Sequence, residues 1–183
     1  DYFGKNFVLN DLTHDGGLTA IRIEGPTNSV DQRVNRLSKE LGLLDQELSI
    51  LDNEQSNIFW NRTKNLEVFK KLESNLLRIV LPISETLQVI QKLKSYDIKY
   101  FVDWGGSLIW AAFETLNAKI LSEIKDIVKK HQGYITLIKI EEDLKASADI
   151  FTIDPIKYKI SEKIKRSFDP KRIFNPGKMY TGI

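Results

Sequence analysis

The sequence predicts an α+β fold: an antiparallel sheet with helices packed mainly on one face, of the ferredoxin-like kind, followed by an extended C-terminal strap. Three observations predict it. Alternating, strand-like runs flank the Gly-Gly dipeptides at Gly16-Gly17 and Gly105-Gly106, a hairpin signal. Single amphipathic helical stretches separate the strand runs. The stretch from Asp169 to Ile183 holds two prolines and two glycines, which disfavours regular structure and fixes a chain path.

The elements follow in order. Phe7 to His14 reads as a first strand, turned by Asp15-Gly16-Gly17. Leu18 to Glu24 alternates Thr19, Ile21 and Ile23 with Ala20, Arg22 and Glu24, the pattern of a half-buried strand. Gly25-Pro26 ends it. Thr27, Asn28 and Ser29 offer N-caps to a helix carrying Val30, Val34, Leu37 and Leu41 on one face, stopped at Gly42. Glu47 to Leu51 reads as another strand. Residues 52 to 75 read as a short helical or irregular excursion with scattered Phe59, Trp60 and Phe69.

Leu76 to Leu81 is a firm strand, ended by Pro82, and a helix runs from Ser84 to about Tyr96 with Leu87, Ile90 and Leu93 on its apolar side. Tyr100 to Phe113 holds two aromatic strands around Gly105-Gly106. Asn117 caps a helix striped by Ile120, Leu121, Ile124, Ile127 and Val128, with Lys129, Lys130 and His131 in the last turn, where cations suit the helix dipole. Tyr134 to Ile140 is a strand. Asp154-Pro155 opens a last helix bearing Ile156, Ile160, Ile164 and Phe168 at a strict four-residue interval. Residues 1–153 are expected to form one α+β domain and 154–183 a terminal helix and strap.

Composition bounds the chemistry. The chain has 183 residues, 42% of them hydrophobic, and a net charge of +2, which fits one ordinary domain or two small ones. It has no cysteine, so thiol catalysis, disulfides and Cys-based metal sites are excluded. Two histidines exclude a multi-histidine metal cluster. No apolar run approaches the ~18 residues of a membrane span. The only methionine is Met179 and the sequence opens on Asp1; we expect the C-terminal piece of a longer chain. From Asp154 onward eight Lys/Arg face three Asp/Glu, a basic end that either solvates a helix face or meets phosphate groups.

No glycine-rich nucleotide loop, P-loop or G-x-S-x-G is present. His14 reads as a turn residue, and the helix C-terminus accounts for His131. Arg78 shares a strand face with Leu76 and Val80 by alternation. Either that face is solvated, or the guanidinium fork takes a carboxylate ligand or a partner. Arg22 poses the same question, with Glu24 as a same-face neighbour. Trp104 and Trp110 flank the Gly-Gly turn and either pair across strands or line a cleft.

The tail Phe168-Asp169-Pro170, followed by Ile173-Phe174-Asn175-Pro176-Gly177-Lys178-Met179-Tyr180, resembles the C-terminal end of FAD-linked oxidases of the vanillyl-alcohol-oxidase type. Leu77-Arg78-Ile79-Val80-Leu81-Pro82, Asp103-Trp104-Gly105-Gly106 with Trp110, Phe59-Trp60 and Ile21-Arg22-Ile23-Glu24-Gly25 are similar to the smaller, FAD-binding flavin subunit of bacterial glycolate oxidase. The resemblance implies a cap over the flavin. The strap would return to an FAD domain preceding this sequence, with Asn175, Gly177 and Lys178 approaching the cofactor and Arg78 holding a substrate carboxylate. It implies hydride transfer from 2-hydroxy acids such as glycolate to FAD, other glycolate oxidase subunits as partners, and a cytoplasmic place, or one peripheral to the inner membrane through the complex. The His-x-Gly-Asp-Gly-Asn-x-His metal segment of the larger, catalytic subunit does not occur here, and Tyr134 stands where the smaller subunit often has His, so no metal site is implied.

Two other classes stay in view. One is a non-catalytic α+β module for subunit assembly or electron relay. The other, nucleic-acid binding by the basic tail, lacks aromatic–basic interleaving of a known motif and is not expected.

Overall fold

Alternation of apolar and polar side chains builds two separate antiparallel sheets, each closing its own apolar cluster. The structure, a computed structural model, describes residues 3–10, 18–41, 48–70, 75–145, 148–152, 154–178, 180 and 183. The expectations for His14, the Gly16-Gly17 turn, the Gly42 stop and Met179 fall outside the described residues. The chain divides into two units, Asp1–Lys70 and Lys71–Ile183. The division falls inside the span 1–153 read from sequence as one domain, and the terminal helix and tail belong to the same unit as the second sheet.

In the first unit, β1 (Phe3–Asn10) pairs antiparallel with β2 (Leu18–Gly25). Helix α1 (Thr27–Glu40) buries Val30 and Val34 against Ile23. None of the expected Thr27, Asn28 and Ser29 side chains caps it. Extended Pro26 (φ −57°, ψ 142°) takes the N-cap position instead, and its carbonyl accepts from the Ser29 and Val30 amides at 3.0 Å. Strand β3 (Leu48–Leu51) pairs with the other edge of β1. The excursion contains a regular helix, α2 (Asn53–Lys64), and a 3-10 turn at Glu67–Phe69. A capping box starts α2: the Asp52 carboxylate accepts from Gln55 N at 2.8 Å, and Gln55 Oε1 accepts from Asp52 N at 3.2 Å.

The second unit runs β4 (Asn75–Val80), α3 (Ile83–Leu93), β5 (Ile98–Asp103), β6 (Leu108–Phe113), α4 (Ala118–Lys130), β7 (Tyr134–Lys139), α5 (Glu142–Lys145) and α6 (Pro155–Phe168). The sheet order is β5-β6-β4-β7, every pair antiparallel. This βαββαβ chain, with its first strand beside its third and fourth, is the expected ferredoxin-like arrangement. Leu77 and Ile79 of β4 sit in one core with Val89 and Leu93 of α3 and Ile124 and Val128 of α4. The two helices therefore cover one sheet face, and Arg78, between Leu77 and Ile79, points to the other.

Two local details differ from the sequence reading and one goes beyond it. Leu87 is exposed, because the buried stripe of α3 is Thr86, Val89, Ile90 and Leu93 and Leu87 lies ~100° from Thr86 around the axis. The stripe Ile156, Ile160, Ile164 and Phe168 of α6 is solvent-exposed, from 53% at Ile160 to 85% at Phe168. The tail carries neither helix nor strand but runs as a series of turns rather than one extended stretch.

Candidate functional site

Arg78 lies at the centre of β4, paired with Trp110 of β6 on one side and Thr136 of β7 on the other. Phe101 of β5 pairs with Trp110 in turn. The register thus lays Phe101, Trp110, Arg78 and Thr136 in one row across four strands, on the face away from α3 and α4. The Phe101 and Trp110 rings stack at 6.5 Å with 29° between planes. Tyr134, half-exposed, is on the same face beside Val80.

The turn after β5 completes this arrangement. Trp104, Gly105 and Gly106 all have positive φ, at 53°, 61° and 109°. Glycine adopts such angles freely; a bulky aromatic residue there is an outlier. Five hydrogen bonds hold the turn, one of them from Ser107 N to the Trp104 carbonyl at 3.4 Å. Trp104 N donates to Asp103 Oδ1 at 2.7 Å, Ser107 Oγ donates to the Trp104 carbonyl at 3.0 Å, Thr86 Oγ1 of α3 donates to the Gly106 carbonyl at 2.5 Å, and Leu81 N donates to the Ser107 carbonyl at 3.0 Å. The result is an indole, 58% exposed, stacked on the Arg78 guanidinium with Cζ 4.7 Å from the ring centroid. Stacking occupies a face of the guanidinium and leaves its N–H edge free. Among the described residues no carboxylate lies in ion-pair distance of Arg78. Arg22 differs: it pairs with Glu24, its same-face neighbour.

The tail is fixed by Asp169. Its carboxylate accepts from Ile173 N and Phe174 N, both at 2.9 Å, and pairs with Lys165 Nζ at 2.8 Å. The Lys165 ammonium foremost, with the two amides, holds the carboxyl down to about 2 against the opposing effect of desolvation. Asn175-Pro176-Gly177-Lys178 closes a turn in which Lys178 N donates to the Asn175 carbonyl at 3.2 Å. Proline second and a positive-φ glycine third (Gly177, φ 67°) match a type II turn. Asn175, Gly177 and Lys178 are all exposed. No hydrogen bond, ion pair or ring contact among the described residues joins this turn to Arg78. The tail returns instead through Tyr180, whose ring meets Phe151 at 6.0 Å and Tyr158 at 6.1 Å. Phe151 bridges to Thr136, the partner of Arg78, so two strand spacings, about 10 Å, separate the Arg78 backbone from that of Phe151.

Sequence reasoning passed over one cluster. His131, buried at the end of α4, hydrogen-bonds Glu85 Oε2 through Nδ1 at 2.6 Å and Lys92 Nζ through Nε2 at 2.7 Å. An ammonium only donates, so Nε2 accepts and Nδ1 carries the proton toward Glu85. The cluster ties α4 to both ends of α3.

The fold defines an α+β protein whose second unit is ferredoxin-like, with an arginine–tryptophan stack on the sheet face away from α3 and α4. No family model, curated protein or solved structure matches the chain. No helix among the described residues is long and apolar enough to cross a membrane.

Proposed function

We propose that this chain is the cap and C-terminal strap of a flavin-dependent oxidoreductase subunit acting on 2-hydroxy acids, resembling the smaller FAD-binding subunit of glycolate oxidase. In this reading FAD is held mainly by a domain preceding the sequence. Other oxidase subunits are partners, and the complex works in the cytoplasm or at the inner membrane's surface. The observation that carries the reading is the Arg78 guanidinium, stacked on Trp104 with no carboxylate among the described residues in ion-pair distance of its N–H edge. That edge matches a carboxylate bidentately. The bound flavin supplies the hydride acceptor for C2 of the substrate. Arg78 orients the acid, and the aromatic row keeps water from its apolar side.

The exposed stripe of α6 and the exposed Asn175–Lys178 turn support the strap half of the reading, since an apolar helix face left bare marks an interaction surface. The same stripe favours the second reading, a non-catalytic module for subunit assembly or electron relay.

Arg78→Ala in the longer protein separates the two. The cap reading expects flavin to be retained and its reduction by the 2-hydroxy acid to slow roughly tenfold to a hundredfold, the worth of a charge-assisted hydrogen-bonded pair. Unchanged reduction dismisses Arg78 as the anchor and leaves the assembly module. The 183 residues alone are expected to lack tight FAD affinity, and nanomolar FAD binding by them contradicts the division of labour proposed.

A further inference from the structure

We infer that the Arg78 site selects 2-hydroxy acids that carry an apolar or aromatic substituent on C2, in preference to glycolate, which has none; this rests on the proposed reading of Arg78 as the carboxylate anchor. The inference comes from what surrounds the guanidinium. Its stacking partner is Trp104, its cross-strand neighbour on β6 is Trp110, and Phe101 stacks on Trp110 beyond that. Thr136, the cross-strand neighbour on β7, is the one hydroxyl in the row. Neighbouring strands stand about 4.8 Å apart. The backbones of Trp110 and Thr136 therefore flank that of Arg78 at one strand spacing each, while the guanidinium itself lies over the Trp104 ring, so a carboxylate seated on its N–H edge has indole beside it.

A 2-hydroxy acid presents two groups on C2 that fit this arrangement: the carboxylate on Arg78 and the substituent toward Trp104 and Trp110. Glycolate fills only the first position and leaves the aromatic surface wet. Each methylene placed on that surface strengthens binding about fourfold if fully buried. Trp104 is more than half exposed, so it offers this area without any core residue being displaced. Its strained backbone places the ring there, and strain of this kind gathers at binding sites.

The test is a titration of the 15N-labelled chain, following the indole N–H signals of Trp104 and Trp110. The probes are glycolate, lactate, 2-hydroxybutyrate, 2-hydroxyisocaproate and phenyllactate, with 3-phenylpropanol as the uncharged control. The inference expects Kd to fall stepwise along the acids, by about tenfold or more from glycolate to phenyllactate. The alcohol should bind more weakly than phenyllactate, Arg78→Gln should weaken every acid, and Trp104→Ala should flatten the series. A flat series in the wild-type chain that still depends on Arg78 overturns the substituent inference while the anchor reading stands. Equal binding of phenyllactate and the alcohol, or acid binding indifferent to Arg78→Gln, overturns both. The wild-type series decides the substituent question without relying on any variant's folding.

Discussion

Gly133→Ala probes the junction that brings β7 back onto the sheet. A Cβ on Gly133 would stand 2.1 Å from Leu81 Cδ2, 2.8 Å from Val128 Cγ1 and 2.8 Å from the Val80 carbonyl oxygen. Leu81 and Val128 are buried, so neither methyl can swing into solvent. The carbonyl belongs to β4, whose Val80 pairs with Tyr134, the next residue after Gly133. The backbone itself must shift. Overpacking of this kind costs about 1–3 kcal/mol, and three simultaneous clashes put the expectation near the top of that range. The opposing gain, a less flexible unfolded chain, is at most about 1 kcal/mol. A net loss of about 2 kcal/mol lowers Tm by roughly 4–16 °C for domains of this size range. Thermal unfolding followed by tryptophan fluorescence in a Trp60→Phe background reads only Trp104 and Trp110, both in the second unit. Gly105→Ala is the control: nothing lies within 4 Å of its added Cβ, but its φ is +61°, so it should lose only the roughly 1–2 kcal/mol of left-handed strain. A Gly133→Ala protein as stable as wild type would refute the close approach of β7 to β4 at this turn.

Two further outcomes follow from the polar clusters. Asp169→Asn should free the tail, seen as faster exchange of the Ile173 and Phe174 amides. Because the folded carboxyl is depressed to about 2, its stabilising effect is full above the unfolded value near 4, and is lost as pH falls from about 4 to about 2; the variant's stability should decline less across that window than the wild type's. His131→Ala should destabilise the second unit by about 1–3 kcal/mol, the cost of stranding hydrogen-bonding partners, and 15N shifts of the wild-type ring should show the proton on Nδ1.

What was legible in the sequence is what depends on near neighbours. Gly105-Gly106, Asn117 and Asp154-Pro155 each fix a turn or a cap through their own backbone chemistry, and each lies where that chemistry places it. The stripe Leu121, Ile124 and Val128 faces the core as its spacing dictates. The Asp52–Gln55 capping box starts a helix where the sequence reads only as a helical or irregular excursion, because the polar run behind the cap carries no apolar stripe. The partners of His131 were not legible: Glu85 and Lys92 lie 46 and 39 residues away, and no local pattern announces a bond that distant. The α6 stripe shows the converse limit. Its four-residue interval is a true helix signal, yet periodicity says nothing of whether a partner lies against that face. At the candidate site, alternation put Arg78 on the right face, while the positive φ of Trp104 had no sequence mark, because tryptophan is not a residue that turns favour.

That backbone angle also discriminates a binding residue from a packing residue. A tryptophan held for the core loses about 3–5 kcal/mol on truncation. Trp104 is more than half exposed, and its φ of 53° costs about 1–3 kcal/mol in a residue of this kind. Trp104→Gly removes that strain and removes the stack on Arg78, worth about 0.5–1 kcal/mol at an exposed position. Glycine's greater freedom in the unfolded chain takes back a further 0.5–1 kcal/mol or so. The three contributions nearly cancel, so the variant should unfold within about 1 kcal/mol of wild type. A loss above about 2 kcal/mol would place Trp104 among the residues that build the fold. Near-neutrality leaves its strained geometry without a structural beneficiary, and then the indole is held over Arg78 for what binds there.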